Sequence, residues 1–146
     1  MTASREEAVL AFWTTQNVLS SAAARERLDQ VVCLLLDGGD RIVGVNSVFE
    51  RRVALIGDRR FWIYRALLAP GVPDELDRAM AEAAHRALDE EFGAGRDGPI
   101  GICVFADATS MRRHPETLWS GTGMLHAGYL PDGRQVRVGY FEGARV

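Results

Sequence analysis

Few side chains in this sequence are of a type and position to do chemistry. Glu50, near the end of a strand-like run, and His126, near the start of another, can each take a proton as a general base. Glu50 precedes Arg51 and Arg52, which favours a solvated ion pair at a sheet edge. His126 lies between Leu125 and Ala127, as a packing or edge histidine would. Of the tyrosines, Tyr64 sits inside an apolar run. It is expected to pack its ring in the core with the hydroxyl outward, and to act as an acid only if the ring faces a cleft. Arg112, Arg113 and His114 read as a solvated basic face, or as a contact for an acidic ligand. Trp13, Phe61 and Trp62 read as core aromatics, with the Phe61-Trp62 pair a pocket wall if exposed.

Several chemistries lack their residues. Cys33 and Cys103 lie in apolar runs as buried thiols, and without a Cys-x-x-Cys or His-x-x-x-His pair no metal site is expected. All 17 basic residues are arginine, which removes lysine Schiff-base chemistry and the P-loop lysine. There is no Gly-x-Ser-x-Gly elbow for a hydrolase nucleophile. Gly121-Thr122-Gly123 is too short for a dinucleotide fingerprint, and Asp37-Gly38-Gly39-Asp40 lacks the further ligands of a calcium loop.

The elements that must position these residues follow from periodicity. Ser4-Arg5-Glu6-Glu7 has the form of a capping box and predicts a helix burying Val9, Phe12 and Trp13. Residues 22–28 predict a second, short helix. The apolar run Val31–Leu36, the turn at 37–40 and the alternating residues 42–50 predict a hairpin. A third strand is expected over 61–68. Leu76, Met80, Ala84, Leu88 and Phe92 then recur every four residues and predict an amphipathic helix over 74–92, entered through Pro73 and Asp74. A buried strand follows over 100–106, then a partly helical polar stretch over 108–118. Strands over 124–130 and 135–141 flank the turn at 131–134.

The 146 residues, 47% hydrophobic and 25% charged, imply one domain over 1–146 with a core that needs no staples. A net charge of −3 argues against nucleic acid or an anionic membrane as the main partner. No apolar run approaches the ~18–20 residues of a membrane span, and the first residues lack a secretory pattern; a cytoplasmic location is the default. The strand over 61–68, the helix and the strand over 100–106 should form a right-handed crossover between parallel strands. Ligands bind at the carboxyl ends of such strands, near a helix N-terminus, which points to Leu68–Leu76 and Asp107.

This succession of elements resembles the GNAT superfamily, whose members move an acetyl group from acetyl-CoA to an amine. The resemblance covers nearly the whole chain. Trp119-Ser-Gly-Thr-Gly123-Met124 stands in the place of the family's Tyr-x-x-x-Gly-Phe signature, and the stretch Gly128-Tyr129-Leu-Pro-Asp-Gly-Arg-Gln-Val-Arg-Val fits its last hairpin. The resemblance implies an α/β fold with a mixed, mostly antiparallel sheet and a central strand-helix-strand crossover. It further implies a pantetheine arm paired with backbone near Leu67, Leu68 and Ala69, and phosphates on the amides of Val72, Asp74, Glu75 and Leu76, near Asp107. The connector reads Pro70-Gly-Val-Pro-Asp-Glu-Leu-Asp77, with one glycine and no basic residue, a degenerate form of the family's pyrophosphate loop. Trp119 replaces the tyrosine that protonates the leaving thiolate, and an indole N–H does not give up a proton near neutral pH. The function so implied is an acyl-CoA-dependent N-acyltransferase with acetyl-CoA as cosubstrate and an amine as acceptor, Glu50 or His126 as base and Tyr64 as substitute acid. The alternative is a catalytically inactive GNAT-fold binding or dimerisation module; a homodimer stays open in either case.

Overall fold

The computed structural model describes residues 1–94, 97–107 and 124–145, together with the backbone of 118–119. Helix α1 (Ala3–Thr15) is capped by Thr2, whose hydroxyl accepts from the Arg5 amide at 3.2 Å. The cap is thus two residues earlier than the Ser4 box suggests, since Ser4 is already helical; the Arg5 guanidinium reaches the Asp40 carboxylate at 3.0 and 3.1 Å. Ser20 caps α2 (Ser21–Arg27), as its hydroxyl can satisfy the Ala23 amide.

Strands β1 (Val31–Leu36) and β2 (Ile42–Val53) form the expected hairpin. The Asp37 carboxylate holds the turn by accepting from the Gly39 and Arg41 amides at 2.8 and 2.9 Å. β2 runs three residues past Glu50 and ends in a 3-10 turn, Ala54–Ile56. It then pairs with β3 (Arg59–Leu68) without interruption from Val53↔Arg59 to Gly44↔Leu68. Helix α3 (Asp74–Gly93) crosses to β4 (Gly101–Ala106), which runs parallel to β3. The chain closes with β5 (Leu118–Trp119), β6 (Met124–Tyr129) and β7 (Gln135–Tyr140). A helix expected within 108–118 lies outside the described residues, save that Leu118 opens β5.

The sheet order is β1-β2-β3-β4-β7-β6-β5, antiparallel at every junction except β3/β4. The fold is therefore a mixed, mostly antiparallel α/β sheet with one parallel crossover. Side chains alternate between its two faces. On one, Ala81, Ala84 and Leu88 of α3 pack on Val48, Tyr64, Ile102 and Met124. On the other, Val9, Phe12 and Trp13 of α1 cover Val45 at one end, while Phe61, Ile63, Cys103 and Val136 make a second cluster farther along. Each large side chain fully buried in this way contributes about 1.5–3 kcal/mol. Leu76 departs from the helix pattern: it is exposed, and Met80 is the first residue of α3 to be buried in the core. No described helix is long and apolar enough to cross a membrane.

Candidate functional site

The one parallel junction is also the one that comes apart. β3 and β4 are in register only at Trp62↔Ile102 and Ile63↔Cys103, with Ile100 N–H donating to Arg60 C=O at 3.0 Å below them. Beyond these pairs β3 stays with β2 as far as Leu68, and β4 stays with β7 as far as Ala106↔Gln135. The two halves of the sheet thus diverge from Tyr64 and Val104 onward.

Strand parity says which groups face the gap. Backbone N–H and C=O of alternate residues point to alternate neighbours. Ala69 N–H donates to Val43 C=O at 2.8 Å, so Ala69 and Leu67 address β2, whereas Arg60 C=O addresses β4. Counting by twos from Arg60, the main-chain groups of Tyr64, Ala66 and Leu68 point into the gap, where no described strand pairs with them. Of the backbone expected to seat a ligand, Leu68 turns its main-chain groups toward the gap, while Leu67 and Ala69 turn their N–H groups toward β2. Ala66 is exposed in the middle of a seven-stranded sheet, so the gap is open at that level. Sequence reasoning passed over Ala66 because its position depends on register, and nothing in its local sequence signals it.

The connector leaves β3 through a turn closed by Val72 N–H donating to Ala69 C=O at 3.3 Å, with Pro70 second and Gly71 third at φ +84°. Only glycine takes that conformation without strain. Pro73 then occupies the N-cap of α3 with no side-chain cap and no N–H of its own. Asp74, Glu75 and Asp77 crowd the first turn. Glu75 is exposed, while Asp74 and Asp77 are half-buried and engaged with neighbours. Leu76 N–H is already given to Pro73 C=O at 3.0 Å, and Val72 is half-buried. Asp107 is exposed at the end of β4 and also engaged.

The side chains expected to do acid–base work are scattered. Tyr64 is the first residue past the last parallel pair, but its hydroxyl is not outward: it is buried, lacks a hydrogen-bond partner and lies by Asn46 and Asp77. Burial holds this phenol well above its ordinary pKa; the Asn46 amide opposes the shift and the Asp77 charge adds to it. Asn46 itself is fully buried and serves the frame. A bulge in β1 displaces the Cys33 amide, which donates to Asn46 Oδ1 at 2.7 Å, and Asn46 Nδ2 donates to Met80 C=O at 3.2 Å. The residue thereby ties α3 to the sheet beside the gap.

Glu50 is paired with Arg60 at 3.0 Å, not with Arg51 or Arg52, since Arg60 lies diagonally across the β2/β3 ladder on the same face. With Asp29, Trp62 and Glu91 it lines a cavity of about 530 Å³ beneath α3, one step short of the gap. Phe61 is fully buried, so only Trp62 of that pair reaches a cavity. His126 pairs with Arg137 across the β6/β7 ladder, its ring edge against Tyr129 at 5.1 Å and its Nδ1 buried without a partner. It stands two strands from β4, roughly 10 Å away at the usual strand spacing. Trp119 lies on β5, paired with Met124, and not on a helix. The cluster Arg112, Arg113 and His114 lies outside the described residues. Both cysteines are free; burial raises their thiol pKa values, that of Cys103 to about 12.

No protein-family model and no curated protein matches the chain. Among solved structures it is similar to a GNAT-family acetyltransferase from Streptococcus agalactiae, with a TM-score of 0.52 and 12% identity over 97% of this chain and 84% of that one. It is also similar to a chimera of spermidine N-acetyltransferase SpeG from Vibrio cholerae and hSSAT, with a TM-score of 0.45 and 16% identity over 74% of this chain and 63% of the other. The first of these likenesses shows the architecture: the chain has the fold of a GNAT-family acetyltransferase.

Proposed function

We propose that this protein is an acyl-CoA-dependent N-acyltransferase, a single domain that moves an acetyl group from acetyl-CoA to the amine of a small molecule or protein in the cytoplasm. The observation that carries the proposal is the fork itself, with Ala66 exposed and main-chain groups of Tyr64, Ala66 and Leu68 aimed into it. An extended thioester arm needs such a row of donors and acceptors. A backbone N–H there would also stabilise charge developing on the thioester oxygen. The acetyl donor supplies an activated carbonyl: the neutral amine nitrogen bonds to it, the C–S bond breaks, and the sulfur leaves with its electron pair and takes a proton while the nitrogen, cationic in the adduct, loses one to leave the amide.

Of the groups expected to serve, Tyr64 alone belongs to the fork. Its raised pKa keeps it protonated at neutral pH, as a hydrogen-bond donor must be. Glu50 is tied to Arg60, and His126 is too far for direct transfer, so either would act through water. The phosphates would meet the first turn of α3, where a helix N-terminus favours anions and the exposed Glu75 opposes them.

The second reading, a catalytically inactive module of this fold that binds or dimerises, is favoured by the three carboxylates of that same turn. Thermal melting separates the two. Acetyl-CoA at ~100 times its dissociation constant should stabilise the protein by ~2.7 kcal/mol. The absence of any shift with acetyl-CoA, CoA and longer acyl-CoAs at millimolar concentration would select the module.

A further inference from the structure

On the face of the sheet away from α3, a groove of about 620 Å³ opens between the 3-10 turn after β2 and the β6/β7 turn, lined by Arg51, Val53, Leu55, Phe105, Tyr129 and Leu130 among others. Its volume is that of a small-molecule site. Leu55 and Tyr129 on its rim are 47% and 57% exposed, so folding leaves this apolar surface uncovered. Phe105 belongs to the part of β4 beyond its last pair with β3.

Charge says what the groove would take. The guanidinium of Arg51 stands 5.8 Å and that of Arg134 5.5 Å from the centroid of the same Phe105 ring. Two cations gathered on one ring repel each other unless an anion joins them. Asp132 answers Arg134 at 2.8 Å, but among the described residues no carboxylate answers Arg51. Arg52, also in the lining, donates to the Asp58 carbonyl at 2.9 Å, and among the described residues no acidic side chain lines the groove. The cavity beneath α3 is the reverse: among the described residues it has Asp29, Glu50 and Glu91 and no arginine.

We infer that this groove binds a small molecule with an apolar body and a carboxylate, the body against Phe105, Leu55 and Tyr129 and the carboxylate on Arg51. Resting on the acyl-transfer reading above, the acceptor is then an amine that carries its own carboxylate, such as an apolar or aromatic amino acid, and not a polycation. Charge-assisted, planar pairing of a carboxylate with a guanidinium supplies the selectivity.

The two claims are tested separately. Titration of the protein with N-acetylphenylalanine and with N-acetylphenylalaninamide, followed by NMR, asks about the groove without requiring turnover. The acid should bind at least tenfold more tightly than the amide, and Arg51→Gln should erase that preference. Equal binding of acid and amide, binding of neither, or a preference untouched by Arg51→Gln would overturn the inference. Acetyl-CoA-dependent acetylation of phenylalanine is then compared with that of phenethylamine, which lacks only the carboxylate. A kcat/KM tenfold or more higher for phenylalanine supports the acceptor class, and an equal or better phenethylamine overturns it while leaving the transferase reading intact. Selective acid binding with no acetylation of either amine supports the groove and overturns the transferase reading.

Discussion

Asn46 and Cys103 show how much of the site's support is carried by single buried groups. Replacing Asn46 by alanine leaves the Cys33 N–H without its acceptor and takes a second donor from the Met80 C=O, which keeps its place in the helix. An orphaned interior N–H costs about 1–3 kcal/mol, so Asn46→Ala should destabilise by that amount in urea denaturation. A loss below ~1 kcal/mol would mean that water replaces the amide. For Cys103, burial favours the neutral thiol and raises its pKa from 9.0 to about 12, with Arg51 opposing. A raised folded value means the contribution is complete below the unfolded pKa and is lost as pH climbs from about 9 towards 12. Denaturant melts should therefore show wild type losing stability over that window more steeply than Cys103→Ala, and parallel curves would refute the assignment. Both roles come from partners brought by other strands. The sequence around Asn46 reads only as an alternating strand, and the amide's purpose is invisible there.

At the level of elements, α3 combines a helix-stabilising start with an anion-repelling one. Carboxylates in a first helical turn stabilise the helix by ~0.3–1 kcal/mol each, yet one within reach of a phosphate costs ~1–4 kcal/mol depending on screening. Glu75→Gln should accordingly tighten CoA by about fivefold or more while lowering the melting free energy by less than ~1 kcal/mol; calorimetric titration showing unchanged affinity would place the phosphates elsewhere. The helix was legible because Met80, Ala84 and Leu88 share one stripe that the sheet does bury. Leu76 fits the same stripe and is exposed, since periodicity reports a face and not how much of it a neighbour covers. At the start of α1, Ser4 and Glu7 satisfy the local pattern of a cap, but Thr2 accepts from the Arg5 amide and the helix begins before Ser4.

For the whole molecule, the fork between β3 and β4 is the decisive feature, and Ala66 is the residue that tests it. Ala66→Phe would fill the gap from its exposed face without entering the core. It should abolish stabilisation by acetyl-CoA while leaving the melting temperature of the free protein unchanged within a few degrees; retained stabilisation would show that the thioester arm does not lie there. The sequence by itself determined the elements, their order and the parallel crossover, because apolar periodicity, Gly/Asp turns and the handedness of the strand–helix–strand unit are local or nearly so. Only the tertiary structure decided that β3 follows β2 while β4 follows β7, so that two half-sheets part at Tyr64 and Val104. Strand pairing is a contest between hydrogen-bonding partners far apart in the chain. Its outcome set which backbone groups no described strand pairs: those of Ala66 and Leu68 face the gap, while Leu67 and Ala69 address β2.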